Sequence, residues 1–379
     1  MINSDARFLA LSQFVHHHLL WLLIAAYAIA AVYPAAGLAI RNTSFVSHVS
    51  LLMVMLALLM FNAGLGVKTA HLKKLKEKKL VLVAGLIANV LIPIAYIFVV
   101  SLAMKYWYEP AEAQYILVGL ALVAAMPIAG ASTAWAQNSN GNLALSLGLV
   151  LFSTVLSPIV TPVDLHVFGE MATDEFEEVL HGVAAYGSPA FLGAWVVLPS
   201  VLGLSVRFLV RESWLTSVMP YVKLVNSLDL LLLNYSNASV SLPQIIADPD
   251  WDFLIVTVII TTGLCLTAFA SGYVLSRLFK VHEAERLSLM YGLGMSNNGT
   301  GLVLASLALS SYPRVLVPII CYNLAQHLAA GSLHCFTSPI RTLTMRCVVR
   351  GKGSYGRDAK QSGWSCKFFS NIHICGLTL

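Results

Sequence analysis

Long apolar blocks that carry almost no charged residue run from about residue 19 to residue 337 of this chain. Many of these blocks are long enough to be membrane-spanning helices, which need about 20 apolar residues to cross the hydrocarbon core of a bilayer. A charged side chain at the centre of such a helix costs roughly 2.5–3.5 kcal/mol, so the scarcity of charge is what inserted helices require. We therefore predict an all-α polytopic membrane protein.

Composition supports this prediction and excludes a soluble globular domain. Charged residues make up 11% of the chain and apolar residues 58%, whereas soluble domains carry about 25% charged residues. So few charges cannot cover a surface that faces water. We expect about ten transmembrane helices, at 19–40, 46–66, 80–104, 115–136, 143–163, 183–208, 215–235, 252–276, 286–311 and 313–337.

The loops between these spans alternate between basic and acidic. The loop 68–79 contains six lysines, and the loop 164–182 contains only acidic charges. Because lysine and arginine collect on the cytoplasmic side, an even number of spans with both termini cytoplasmic fits the pattern. We expect a transmembrane domain at 19–337 in the cell membrane, the inner membrane of a bacterium, with an N-terminal segment 1–18 and a disordered cytoplasmic tail 338–379.

Helix-breaking and polar residues interrupt two of the predicted spans. The first interruption, 126–142, contains Pro127 and a run of serine, threonine and asparagine, and the second, 291–302, contains four glycines. Proline removes a backbone donor, and each glycine weakens a helix by about 1 kcal/mol. Both segments are predicted to be unwound. Each unpaired backbone group at bilayer depth costs several kcal/mol, so protein, water or a ligand has to satisfy it.

The two interruptions occupy corresponding places in the chain. The first falls in the third span of the block 46–163, and the second falls in the third span of the block 215–337. This arrangement predicts two inverted five-helix repeats, about 19–166 and 183–337, with a transport site at the breaks. Freed carbonyls and side-chain oxygens would suit a small cation, and half-helix N-termini would suit an anion. The alternative is that both breaks are packing kinks lined by small residues.

Several motifs resemble those of the bile acid:sodium symporter superfamily. They are Met126-Pro127 through Ser146, Ser153 through Pro162, Leu198 through Arg207, Met60 through Leu65, and Gly294 through Asn297. The resemblance implies a panel domain and a core domain with broken, crossing helices. It also implies that these domains move against each other during sodium-driven uptake of a small organic anion.

The resemblance also implies site residues. Sodium ligands are expected at Ser132, Thr133 and Ser146 for one ion, and at Met295, Ser296, Asn297 and Asn298 for a second. Apart from the resemblance, we predict that the substrate site is lined by Asn62, Asn89, Pro127, Gly130, Thr300 and Asn323. For Asn323, an interhelical hydrogen bond is the open alternative.

The chain departs from the family pattern at the second break. Gly292 stands where the family has a glutamate, and Ser296 stands where it has a glutamine. No carboxylate is expected near either break, so sodium would be held by neutral oxygens. Two alternatives to sodium symport stay open: a membrane sensor or scaffold that does not transport, and an exporter or facilitator without sodium coupling.

The sequence contains no motif typical of an enzyme or of a nucleic-acid-binding protein. No catalytic set, nucleotide loop or nucleic-acid patch is apparent, so we predict that the chain is not an enzyme and binds no nucleic acid. Sodium is the one ion expected, with no further metal or cofactor. The expected partners are the organic anion, sodium and membrane lipid.

Overall fold

The structure is a computed structural model that describes residues 11–12, 14–15, 18–46, 49–67, 73–173 and 175–337. The predicted tail 338–379 and most of the predicted segment 1–18 lie outside this part of the chain. The described chain is almost entirely helical, as predicted for an all-α membrane protein.

Fifteen α-helices and one short two-stranded sheet make up the regular structure of the described residues. In chain order they are α1 (Leu19–Val32), α2 (Ala35–Asn42), β1 (Ser44–Val46), β2 (Val49–Ser50), α3 (Leu51–Leu65), α4 (Lys79–Met104), α5 (Pro110–Ala124), α6 (Ala131–Asn138), α7 (Leu143–Gly169), α8 (Glu175–Gly182), α9 (Ser188–Leu192), α10 (Leu198–Leu209), α11 (Glu212–Ala247), α12 (Trp251–Leu278), α13 (Glu283–Gly294), α14 (Asn298–Ala308) and α15 (Leu316–Thr337). π-Helical turns precede α9 and α10, and 3₁₀ turns precede α4 and α15.

Five helical segments in the described chain are long and apolar enough to cross a membrane. They are Lys79–Met104, Leu143–Gly169, Ser188–Leu209, Trp251–Leu278 and Pro313–Thr337. A sixth is obtained if α1 and α2 count as one span. The helices α3, α5 and α14 are apolar but shorter. A multi-pass membrane protein is therefore supported, whereas the count of ten spans remains a prediction.

Two predicted spans near the N-terminus differ from the structure. The predicted span 19–40 is bent by 95° between α1 and α2, where Pro34 cannot donate to the preceding turn. The predicted span 46–66 begins with strand residues, and its helix starts only at Leu51. Ser50 caps that helix, because its side chain accepts a hydrogen bond of 3.3 Å from the Met53 backbone N–H.

The order of elements repeats along the chain. The helices α3 to α7 form one row of five, and α11 to α15 form another. In each row the third and fourth helices are the two halves of a predicted span that is broken, and the fifth is continuous. This order agrees with the predicted repeats, whose inverted relation remains a prediction.

The helix α5 lies at the centre of the packing, whereas α4 has an outer face. Almost every side chain of α5 from Ile116 to Ala124 is buried, as expected of a helix that is apolar on all sides. On α4, large apolar side chains such as Val83, Ile87 and Leu91 are exposed, which suits contact with lipid. The first break follows α5 directly and is therefore held inside the protein.

Candidate functional site

The two breaks meet each other in the interior of the protein. The first is the stretch 125–130 between α5 and α6, and the second is the stretch 295–297 between α13 and α14. Ile128 and Ser296 form an antiparallel bridge. On either side of it, the Ala129 N–H donates to the Met295 carbonyl at 2.8 Å, and the Asn297 N–H donates to the Pro127 carbonyl at 2.9 Å. The broken spans therefore cross through a short pair of extended segments.

The unwound segments are shorter than predicted. The helix α6 already covers 131–138, and Gly292, Gly294 and Gly301 lie inside helices rather than in the break. These glycines serve close packing, because a Cβ at Gly294 would collide with the Phe269 ring. The expectation that 126–142 and 291–302 are unwound throughout was wrong, since glycine at a helix contact looks the same in sequence as glycine in an unwound turn.

Side chains from the continuous helices satisfy part of the freed backbone. At the first break, Ser153 on α7 accepts from the Ile128 N–H at 3.1 Å, and Thr161 donates to the Ala125 carbonyl at 2.5 Å. At the second break, Gln326 on α15 accepts from the Ser296 N–H at 3.0 Å. The protein therefore supports each break from the fifth helix of its own row.

Several predicted site residues near the crossing carry buried polar atoms that have no hydrogen-bond partner in the described chain. These atoms are the Ser132 hydroxyl, both amide atoms of Asn298, the Thr300 hydroxyl and the Asn62 amide nitrogen. Leaving a buried polar group unpaired costs about 1–3 kcal/mol, so native proteins rarely keep several together. A cluster of such groups is typical of a place where water, an ion or a polar solute binds.

The three residues predicted for the first ion come from two adjacent helices. Thr133 lies near the start of α6, and the Ser146 hydroxyl donates to its hydroxyl oxygen at 3.2 Å. Ser132 precedes Thr133 and is fully buried. Asn142 caps α7 by accepting from the Leu145 N–H at 3.1 Å, which fixes the start of the helix that carries Ser146.

The four residues predicted for the second ion lie in and just after the second break. The Met295 carbonyl already accepts from Ala129, and the Asn297 side chain caps α14 by accepting from the Thr300 N–H at 3.3 Å. Asn298, which follows, is buried with neither amide atom bonded, and Ser296 is half-buried. Their role as ion ligands remains a prediction.

The end of α3 lies against both breaks. The Asn297 amide donates to the Met60 sulfur at 3.6 Å, and a Cβ at Gly130 would lie 3.9 Å from Ala63. Asn62 lies between these two contacts in the sequence. The structure therefore brings Asn62, Gly130 and Thr300 of the predicted substrate residues to the crossing.

Asn323 is linked to the second break through the side chain of Gln326. Its amide nitrogen donates to the Tyr27 hydroxyl at 2.8 Å and to the Asn234 carbonyl oxygen at 3.0 Å. Its own carbonyl oxygen accepts from Gln326 at 3.2 Å. Asn323 is thus part of a hydrogen-bonded chain that joins α1, α11 and α15 and ends at the second break.

A leucine fills the space beside Gly292, where the family glutamate is missing. A Cβ at Gly292 would lie 2.9 Å from a terminal carbon of Leu149 on α7. An acidic side chain at this position would have to displace Leu149. At that point of the second break a leucine side chain occupies the place where a carboxylate would lie.

A carboxylate nevertheless lies beside the first break, contrary to the expectation that none would. Asp164 is 3% exposed and one of its carboxylate oxygens has no hydrogen-bond partner in the described chain. It lines a small cavity together with Asn89 and Pro127. The predicted span 143–163 ended too early, because α7 continues to Gly169 and so includes Asp164 in the helix.

An ion pair joins the turn before α4 to the start of the second broken span. Lys78 and Glu285 lie 3.1 Å apart, and the Asn142 side chain donates to Glu285 at 3.2 Å. Burial raises the pKa of Glu285, but the hydrogen bond and charge of Lys78 outweigh it and hold that pKa below its usual value. The start of α13 is thereby fixed to the turn between α6 and α7.

Comparison with known proteins identifies the family. Residues 53–248, just over half of the chain, match the family model described as the Sodium Bile acid symporter family. The matched range includes the first break and ends before the second.

Two proteins of Bacillus subtilis (strain 168) are similar over a longer range. The uncharacterized protein YbaS is 27% identical over 216 residues, which is 57% of this chain and 66%, just under two thirds, of the relative. The uncharacterized sodium-dependent transporter YocS is 26% identical over 291 residues, covering 76% of this chain and 83% of the relative. The chain therefore belongs to the sodium bile acid symporter family, whose members are transporters and not enzymes.

Proposed function

We propose that the protein is a secondary transporter that carries a small organic anion together with sodium, by alternating access about the crossing of its two broken spans. The observation that carries this proposal is the Ile128–Ser296 bridge surrounded by unpartnered buried polar side chains. Unpaired polar groups in the interior of a membrane protein are unfavourable, and a solute that binds there can form hydrogen bonds with them.

The side-chain oxygens next to the first break suit a sodium ion. Ser132, Thr133 and Ser146 present hydroxyl oxygens, and oxygen atoms are the ligands that hard cations prefer. These ligands are neutral, so the ion brings its full charge to the site. The membrane potential then contributes about 2.3 kcal/mol per charge for every 100 mV, which is a driving force for uptake.

The helix N-termini at the two breaks suit an anion. The helices α6 and α14 begin immediately after the two breaks, and the N-terminus of a helix carries a partial positive charge. In the proposal these two ends face the carboxylate of the substrate, with Thr300 as a hydrogen-bonding side chain. The two rows α3–α7 and α11–α15 are proposed to be inverted repeats, with the broken, crossing helices of both rows in a core domain that moves against a panel domain.

Uptake by purified protein in proteoliposomes tests the proposal. Radiolabelled taurocholate and a panel of small carboxylates serve as probes, with an inward gradient of sodium chloride or of choline chloride. We expect accumulation of at least one probe that depends on sodium. Ser132→Ala should raise the half-saturating sodium concentration by about tenfold, which corresponds to about 1.4 kcal/mol of lost binding.

The matched control is Ser205→Ala, which removes an exposed hydroxyl on α10 that bonds only its own helix. Equal sodium dependence in both variants would contradict the assignment of Ser132. Binding of a probe without transport would favour the sensor or scaffold. Transport at the same rate with and without sodium would favour the uncoupled exporter or facilitator.

A further inference from the structure

One face of α7 carries a stripe of polar residues that leads from the crossing to a buried carboxylate. The stripe consists of Ser146, Ser153, Ser157, Thr161 and Asp164, all buried. Their spacing of seven, four, four and three residues keeps them on the same side of a helix. The stripe spans about 27 Å at the usual rise per residue.

The part of this stripe from Ser153 to Asp164 lines a cavity of about 40 Å³ beside the first break. The polar side chains and the break residue that line it are Asn89, Pro127, Ser153, Ser157, Thr161 and Asp164. A water molecule needs roughly 10–15 Å³ of such space, so the cavity has room for an ion with one or two waters. An organic solute, which needs several hundred Å³, does not fit.

The hydroxyl groups of the stripe are oriented to accept rather than to donate at this cavity. Ser157 donates to the Thr154 carbonyl at 2.8 Å, and Thr161 donates to the Ala125 carbonyl at 2.5 Å. Ser153 likewise donates to the Val150 carbonyl at 3.1 Å. Because these hydrogens are used, the lone pairs of the oxygens remain, and none of the three hydroxyls is left to donate to Asp164.

Among the described residues, no hydrogen-bond donor is found for the buried Oδ1 of Asp164. In the described chain no lysine, arginine or histidine forms an ion pair with it. An isolated buried carboxylate costs several kcal/mol unless a positive charge neutralises it. A small cavity that contains one such carboxylate together with three hydroxyl oxygens and an amide offers the oxygen ligands that a small cation prefers.

We propose that Asp164 and the cavity at the first break bind one monovalent cation, a sodium ion or a proton, in addition to any ion held at the crossing. The proposal deepens the proposed function and rests on it for the role of this cation in transport. The carboxylate would supply, beside the first break, a negative charge of the kind that is missing at Gly292 in the second break.

Asp164 is the one titratable side chain that lines the cavity among the described residues. The other ionisable side chains described on α7 and on the elements packed against it have partners of their own or are exposed. The bonded ones are Glu112 with Trp107, Glu175 with Tyr312, His166 and Glu177 with His181, Lys78 with Glu285, and Glu283 with Arg286. Lys79 and Glu178 are exposed. Competition between sodium and protons in this cavity should therefore depend on Asp164 alone.

The test measures the thermal unfolding midpoint of the purified protein in detergent at increasing concentrations of sodium chloride. Choline chloride keeps the ionic strength constant, and the titration is done at pH 8 and at pH 5.5. For the wild type, the sodium concentration that gives the half-maximal shift should rise at least about tenfold at the lower pH, because protons compete for the carboxylate. In Asp164→Asn this dependence on pH should disappear. Asp229→Asn is the matched control, since Asp229 is also buried with an unpartnered oxygen but does not line the cavity.

The outcomes separate this proposal from the proposed function. Loss of the pH-dependent sodium response in Asp164→Asn, with Asp229→Asn unchanged, supports the cavity site even if Ser132→Ala has no effect. A wild type whose midpoint responds to pH but not to sodium, with the response lost in Asp164→Asn, identifies the proton as the cation. Asp164→Asn that behaves like the wild type at both pH values overturns the proposal.

A second measurement applies if Asp164→Asn does not fold. A hydrophobic carbodiimide should modify Asp164 in the wild type, as mass spectrometry of the labelled peptide would show, and either added sodium should slow the modification or lower pH should speed it. Labelling of Asp164 that ignores both sodium and pH would overturn the proposal.

Discussion

The two breaks differ in how they are built, although they occupy corresponding places. The first has a proline, runs over 125–130 and adjoins a cavity with a carboxylate. The second runs over 295–297, contains no proline, and is packed against leucine where a carboxylate would stand. The comparison shows that the two breaks share a backbone arrangement but differ in the side chains beside them: a carboxylate lines the cavity at the first break, and a leucine lies beside Gly292 at the second.

The largest expected effect comes from placing a carboxylate at the second break. Gly292→Glu introduces a side chain into the space of Leu149 and a charge into the interior, and we expect a loss of stability of several kcal/mol. The double variant Gly292→Glu/Leu149→Ala provides room, so it should recover part of that loss. It should also bind sodium about tenfold more tightly, as about 1.4 kcal/mol of added attraction would give.

Thermal unfolding with and without sodium measures both parts of this prediction, with Leu149→Ala alone as the control. A double variant that is no more stable than Gly292→Glu, or that binds sodium no better than Leu149→Ala, would show that the second break cannot take up the charge.

The next effect concerns the side chains that support each break. Gln326→Leu leaves the Ser296 N–H at the second break unpaired, which should destabilise the protein by about 1–3 kcal/mol. Thr161→Val removes the donor to the Ala125 carbonyl at the first break, and we expect a loss of about 1 kcal/mol, because a carbonyl tolerates a missing partner better than an N–H does. Unfolding midpoints in detergent compare the two, and a larger loss for Thr161→Val would reverse the proposed order.

A smaller effect is expected when the proline of the first break is replaced. Pro127→Ala restores a backbone N–H, but the Pro127 carbonyl would still accept from Asn297 across the bridge. We therefore expect a change in stability within about 1 kcal/mol and sodium-dependent uptake close to that of the wild type. Uptake assays and unfolding midpoints measure this. Complete loss of uptake in a stable variant would mean that the proline ring itself maintains the break.

The smallest effect is expected at the ion pair that joins the turn before α4 to the start of α13. Lys78 holds the pKa of Glu285 below its usual value of about 4.5, so the charged pair stabilises the fold above that pH and is lost as the pH falls through the lowered pKa. Glu285→Gln should thus unfold at a lower temperature than the wild type at neutral pH, with a difference that shrinks below about pH 4.5. A difference that stays constant down to pH 3 would contradict this assignment of stability to the charge of Glu285.

The sequence predicts the helical framework better than the local geometry of the breaks. Apolar blocks and loop charges locate most helices, and Pro127 locates the first break. The extent of unwinding is not predictable in the same way, because Gly292 and Gly294 pack inside α13 against Leu149 and Phe269. Whether a glycine packs or unwinds depends on its neighbours in space.

One site feature was missed, and the partners of another were not predictable, for similar reasons. Asp164 looks like the first residue of an acidic loop, since Pro158 and Pro162 precede it, yet α7 continues through both prolines, as membrane helices often do when neighbours satisfy the freed groups. The spacing from Ser153 to Asp164 was a signal that could have placed it on the helix. Asn323 was predicted to contact substrate, but its partners Tyr27 and Asn234 lie 296 and 89 residues away in sequence, a distance that no local pattern reveals.

The most direct test of the central claim is a high-resolution cryo-electron microscopy structure of the protein in sodium chloride. The account predicts two interrupted spans joined by backbone hydrogen bonds at Ile128 and Ser296, with density for an ion among the oxygens of Ser132, Thr133 and Ser146. Continuous helices through 125–130 and 295–297, or two breaks that lie apart with no ordered solute between them, would contradict it.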